Sequence, residues 1–147
     1  MKKVFFYGAI SLDGFLSSKD DNLKWLFDTE LNPNYSIADF EDRVDTVAMG
    51  NTTYRETQKL LGADPMFSGK EKIIFSRNRT GPVVGGGSIV TQLVKNDLID
   101  EFWIQIAPVI IGTGKRLFEE NTYEKRFKLV GTKRIGELAE IHLKGLW

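Results

Sequence analysis

The stretch from Val83 to Phe118, VVGGGSIVTQLVKNDLIDEFWIQIAPVIIGTGKRLF, limits the fold more than any other. Val83-Val84 reads as the end of a buried strand. Gly85, Gly86 and Gly87 follow, and then Ile89, Val90, Leu93, Val94 and Leu98 recur near the i, i+3, i+4 spacing of an amphipathic helix. A second strand is expected from about Phe102 to Ile111. The order is therefore strand, glycine loop, helix, strand.

That order has a chemical use. Glycine has no Cβ, so its backbone N–H groups can come close to a bulky anion. The first N–H groups of a helix lack partners, and the macrodipole puts roughly half a positive charge there. A phosphate or pyrophosphate fits such an end, and Ser88 can cap the helix or donate its hydroxyl to that phosphate. The plainer alternative is a tight turn that only lets helix and sheet pack closely. No Gly-Lys-Ser/Thr follows, so the stretch is not a P-loop. Val90 stands where the G-x-G-x-x-G dinucleotide fingerprint needs its third glycine.

At 147 residues the chain is expected to form a single domain, 1–147, with a real core. Lys plus Arg equals Asp plus Glu, so the net charge is zero, which argues against broad nucleic-acid or anionic-membrane binding. The absence of cysteine excludes disulfides, thiolate catalysis and cysteine metal sites, and is compatible with a cytoplasmic location. The single histidine, His142, alternates with Ile141 and Leu143 and is expected to be exposed and non-catalytic. It cannot form a histidine-based metal site alone, and no metal is expected. Lys2-Lys3 before VFFYGAI mimics a signal peptide, but the apolar run is short and Asp13 follows soon after. No run approaches transmembrane length.

Taken in order, Val4 to Ile10 is continuously apolar, as suits a central strand buried on both faces. It ends in Ser11-Leu12-Asp13-Gly14. Asp13 is either a turn residue or, at the carboxyl end of a strand where α/β sheets place ligands, a group facing substrate. Trp25 lies in a short apolar cluster and either packs or stacks on a flat heterocycle. Asp45 to Met49 is the second strand, followed by Gly50-Asn51-Thr52-Thr53-Tyr54 and a helix through Leu61. Lys72 to Phe75 is the third strand, followed by Ser76 and Arg77. Lys115-Arg116 follows the turn Gly112-Thr113-Gly114 and either meets a phosphate or is solvated. Phe127 to Lys133 and Glu137 to Lys144 read as an antiparallel hairpin.

Several of these segments carry a resemblance. Asp100-Glu101, Ala107-Pro108-Val109, Gly112, Gly114 and Leu117-Phe118 fit D-E-x-x-x-x-x-A-P-V-x-x-G-x-G-x-x-L-F. This resembles the riboflavin-biosynthesis reductase branch (RibD C-terminal domain) of the dihydrofolate-reductase-like superfamily. The resemblance implies an α/β fold with a mostly parallel central sheet flanked by helices, and an antiparallel C-terminal hairpin. It implies hydride transfer from NADPH to a C=N or C=O bond of a small substrate, heterocyclic or ribosyl-linked. It places Ala9 and Ile10 beside the nicotinamide. Gly50, Asn51, Thr52 and Thr53, together with Gly85, Gly86, Gly87, Ser88 and Ile89, would face cofactor phosphates. Ser76 and Arg77 would meet the adenosine 2′-phosphate, where arginine's forked donors suit the group. Asp13 would face the substrate pocket and orient substrate or supply a proton, with Trp25, Lys115 and Arg116 as further substrate contacts. The resemblance also implies a homodimer.

The chain departs from the pattern twice. Asn51 stands where the superfamily carries an arginine, and a neutral amide holds phosphate less strongly. The residues from Ser76 to Pro82 are too few for a crossover between parallel strands, which needs about a dozen or more. Either the strand-and-helix unit is absent and the cofactor site incomplete, or a segment is missing near residues 80–82. The second is the expectation, and it predicts a Cα–Cα step well above ~3.8 Å there. The alternatives of another class are a non-catalytic nucleotide-binding or interaction module and a true dihydrofolate reductase, for which Asp28 is the candidate acid.

Overall fold

The computed structural model describes residues 3–20, 23–30, 46–50, 71–75, 86–120 and 124–147. The chain divides into two compact units, 1–35 with 87–147, and 36–86. The proposed break near residues 80–82 lies outside the described residues.

The larger unit holds a four-stranded sheet of β1 (Phe5–Ile10), β5 (Glu101–Ile106), β8 (Leu138–Gly145) and β7 (Phe127–Ile135), in that order. β1 runs parallel to β5, while β5–β8 and β8–β7 are antiparallel. The sheet is mixed, and β7–β8 is the expected C-terminal hairpin. The first strand was expected to be buried on both faces; β1 is half-buried along its whole length, and among the described residues it pairs with β5 alone.

One face of the sheet is closed by the helix α2 (Gly86–Lys95), in which Val90 and Val94 pack with Ile99, Phe102, Ile104 and Leu117. Leu98 was expected on the helix face. It lies beyond the helix end and is exposed. Buried Thr91 accepts the Glu119 N–H at 2.9 Å, which ties the helix to the segment that follows Leu117. The expected strand to Ile111 stops at Ile106. Ala107 leaves the ladder, yet its N–H still bonds to the Ile10 carbonyl at 2.9 Å. Within β5 Ile104 is buried, whereas Trp103 and Ile106 are half-buried.

β2 (Phe15–Ser18) and β6 (Gly114–Arg116) form a separate antiparallel pair. A short helix, α1 (Lys24–Phe27), brings Trp25 and Leu26 onto a second cluster of Ala107, Ile135 and Leu138. In the smaller unit β3 (Thr46–Gly50) runs parallel to β4 (Glu71–Phe75), with Gly50 opposite Phe75. These are the second and third strands read from the sequence.

Candidate active site

The carboxyl ends of the parallel pair β1 and β5 make one corner of the larger unit. The chain turns there through Ser11-Leu12-Asp13-Gly14. Ser11 is fully buried, and its hydroxyl accepts the Phe15 N–H at 3.0 Å and donates to Asp13 Oδ1 at 2.6 Å. Asp13 also accepts the N–H groups of Ile111 at 3.3 Å and Gly112 at 2.8 Å. The carboxylate thus clips the first turn to the loop that leaves β5. The Leu12 N–H donating to the Val109 carbonyl at 2.8 Å reinforces it.

These donors act on the charge of Asp13. The Ser11 hydroxyl lowers its pKa below the ordinary 3.8, burial acts the other way, and the Gly112 and Ile111 N–H groups add to the lowering. A carboxyl held this way stays ionised at neutral pH. It suits orienting or accepting roles.

The glycines of the following loop are fixed by geometry. Gly112 has φ 80°, which a side chain rarely tolerates. A Cβ on Gly114 would run into the Ser17 carbonyl across the β2–β6 pair. Ala107 is fully buried and Leu117 nearly so. Asp100 accepts the Val4 N–H at 2.7 Å, while its carbonyl accepts the Gly145 N–H at 2.9 Å. The motif that carried the resemblance is thus largely architectural. It holds the strand ends and the loop in place.

Ala9 and Ile10 are the last two residues of β1, with Gln105 and Ile106 as their partners in β5. Ile10 packs against the helix-covered core. Trp25 is half-buried near Ala107 and Val109, and its buried Nε1 has no hydrogen-bond partner among the described residues. Its indole packs against the cluster of Ala107, Ile135 and Leu138. Arg116 is opposite Phe15 in the β2–β6 register, with its guanidinium 4.9 Å from the Phe15 ring centre. Lys115 is opposite Ser17. The structure therefore brings Ala9, Ile10, Asp13 and Trp25 to one end of β1 and β5. Lys115 and Arg116 join through the adjoining strand pair.

Gly86, Gly87, Ser88 and Ile89 form the first turn of α2, which begins earlier than expected and takes two of the three glycines into the helix. No acidic residue lies in that turn. Gly50 ends β3 in the smaller unit. Asn51, Thr52, Thr53, Ser76, Arg77 and Gly85 lie outside the described residues. No group of three or more metal-ligating side chains occurs among the described residues. No described helix is long and apolar enough to cross a membrane.

Two features were not read from the sequence. Ser11 is the buried anchor of the turn, and the S-x-D spacing was its signal. His142, expected exposed, is half-buried. Its ring stacks on Trp103 at 4.0 Å, and Nε2 lies 2.7 Å from Glu101 Oε2. Strand alternation placed it on the correct face, but only the β5–β8 register supplies those partners.

Comparison with known proteins agrees with this architecture. Residues 82–140 match the RibD C-terminal domain. YwjB of Bacillus subtilis (strain 168), itself uncharacterized, is 31% identical over 168 positions, covering 96% of this chain and 97% of YwjB. That span is longer than this 147-residue chain, so it includes positions that YwjB fills and this chain does not. A Shewanella sp. PV-4 protein assigned to riboflavin biosynthesis superposes with TM-score 0.82 at 23% identity, over 99% of this chain and 100% of that one. A Thermotoga maritima diaminohydroxyphosphoribosylaminopyrimidine deaminase/5-amino-6-(5-phosphoribosylamino)uracil reductase gives 0.68 at 14% identity, over 98% of this chain and 56% of that one. With this fold, this motif and this relative, the chain belongs to the RibD C-terminal domain family.

Proposed function

We propose that the chain is an NADPH-dependent reductase of a small heterocyclic or ribosyl-linked substrate. The observation that carries the reading is the shared carboxyl end of β1 and β5, where Ala9, Ile10, Asp13 and Trp25 gather. Ligands of α/β sheets bind beyond such ends.

The glycine-led start of α2 supports the cofactor reading. The first turn of α2 opens on glycines and carries no acid, so its N–H groups suit a phosphate. Gly86, Gly87, Ser88 and Ile89 would hold the pyrophosphate, with Gly50 to Thr53 as a second phosphate-facing segment and Ser76 and Arg77 for the 2′-phosphate. NADPH supplies the hydride when bound. The chain's own work is to orient and to exclude water. The Asp13 clip fixes the loop beside Ala9 and Ile10, and Lys115 and Arg116 would take a substrate phosphate. A homodimer is proposed on the family resemblance.

A non-catalytic nucleotide-binding module is the second reading. Asn51 favours it, as do the positions that YwjB has and this chain lacks. The test is loss of NADPH absorbance with 5-amino-6-(5-phosphoribosylamino)uracil as acceptor. Turnover is expected, and Arg116→Ala should raise KM about tenfold, the loss of one charge-assisted contact. NADPH left unoxidised by this acceptor and by related ribosylaminopyrimidines would favour the second reading.

A further inference from the structure

β7 ends the sheet order, and among the described residues it pairs with β8 alone. Its outer side is a nine-residue edge on which Lys128, Leu129, Val130, Thr132 and Lys133 are exposed. Leu129 is 57% and Val130 50% accessible. Lysines are a usual protection for a bare strand edge, whereas exposed leucine and valine invite pairing. Protection alone does not account for this composition.

The register adds a second observation. A bulge between Leu129 and Gly131 brings Gly131 opposite His142. Tyr7, Trp103, His142 and Gly131 are then successive partners across the four strands. The row of rings stops at Gly131, where a Cβ would meet nothing within 4 Å. Lys128 and Lys133 oppose Lys144 and Glu140, which puts them on the same face, one on each side of Gly131. The result is an open slot beside the His142 ring, rimmed by two cations.

We propose that the β7 edge docks an extended acidic segment of a partner protein, which adds as a further strand and sets one aromatic side chain over Gly131. In strand addition the backbone bonds supply affinity and side-chain positions supply specificity. An aromatic neighbour across the ladder covers a glycine, and acidic neighbours along the same strand face meet Lys128 and Lys133. A second copy of β7 is a poorer occupant. Antiparallel self-pairing centred on Gly131 sets Lys128 against Arg134, and like charges directly opposite are destabilising.

The experiment is a titration of the full chain with a short labelled peptide of alternating glutamate and valine carrying one central tryptophan, read by fluorescence anisotropy. Control peptides replace the tryptophan by alanine or the glutamates by lysine. The tryptophan peptide should bind, weaken with salt, and lose about tenfold affinity against Lys128→Glu/Lys133→Glu. Gly131→Trp, which fills the slot from within, should abolish the preference for tryptophan over alanine while the chain still binds the acidic strand. No binding, binding indifferent to charge reversal, or an equal response to the lysine peptide would overturn the proposal. So would a dimer whose β7 amides are protected from exchange, because the edge would then belong to a second copy.

Discussion

On one face of the four-stranded sheet Phe102 and Ile104 pack under Val90 and Val94 of α2, whereas on the other Trp103 stacks on His142 and Gln105 bonds Glu140 at 2.6 Å. The first face is apolar and closed by a helix. It depends on volume and burial, which do not ask which residue is opposite which. The second face mixes rings and charges, and it works only in one register. Glu101 reaches both His142, at 2.7 Å, and Lys3, at 3.6 Å, because β5 and β8 are aligned as they are. The apolar face supplies most of the stability, while the polar face pins the strands that carry Ala9, Ile10 and the Asp13 turn.

The sharpest way to break this contrast is truncation on the apolar face. Phe102 is fully buried and contacts the rings of Phe6, Phe118 and Phe127. Phe102→Ala should cost about 3–5 kcal/mol in denaturant unfolding, the usual loss for a buried aromatic. The chain would then be at or near its stability limit. An unchanged midpoint would mean that the helix-covered face is not the core.

A smaller effect is expected on the other face. Gln105 is 4% exposed, and Glu140→Ala strands its amide without a partner, at about 1–3 kcal/mol. Gln105→Leu combined with Glu140→Leu should recover most of that loss, because neither polar group remains to be satisfied. A double variant as unstable as Glu140→Ala would mean that the pair is not what matters at that position.

The smallest effect concerns Asp13 and is read from pH dependence. Its pKa is lowered in the folded chain, with the Ser11 hydroxyl the largest cause. The unfolded chain therefore binds a proton first as pH falls. Stability from this carboxylate is complete above the ordinary 3.8 and is lost as pH drops through the lower folded-state value. Asp13→Asn should flatten that part of the urea-midpoint profile and speed amide exchange at Ile111 and Gly112. Identical profiles for both chains below the ordinary carboxylate value would remove the clip from the account.

The same contrast marks how much could be read from the sequence. The spacing of Val90 and Val94 announced a helix face, and the β7–β8 hairpin followed from alternation around Gly136. The D-E…A-P-V…G-x-G motif located the family, but its residues turn out to hold loops and strand ends. Asp100 grips Val4, and Gly114 lets β6 approach Ser17. Such roles depend on partners 96 or so positions away, as for Val4 and Asp100, which local patterns do not encode. His142 shows the same limit, since its partners Trp103 and Glu101 come from strand register. β1 was read as a doubly buried central strand because its run is continuously apolar. Composition alone does not say that it is half-buried along its length.

The proposed role of these strand ends and of the glycine-led helix is to hold a nicotinamide cofactor. The most direct measurement is a titration of the full chain with NADPH and NADH, followed by nicotinamide fluorescence, with Arg77→Ala alongside. Tight NADPH binding, weaker NADH binding and loss of that preference in Arg77→Ala are the predicted result. A folded chain that binds neither nucleotide would contradict the claim and leave the family fold without its cofactor.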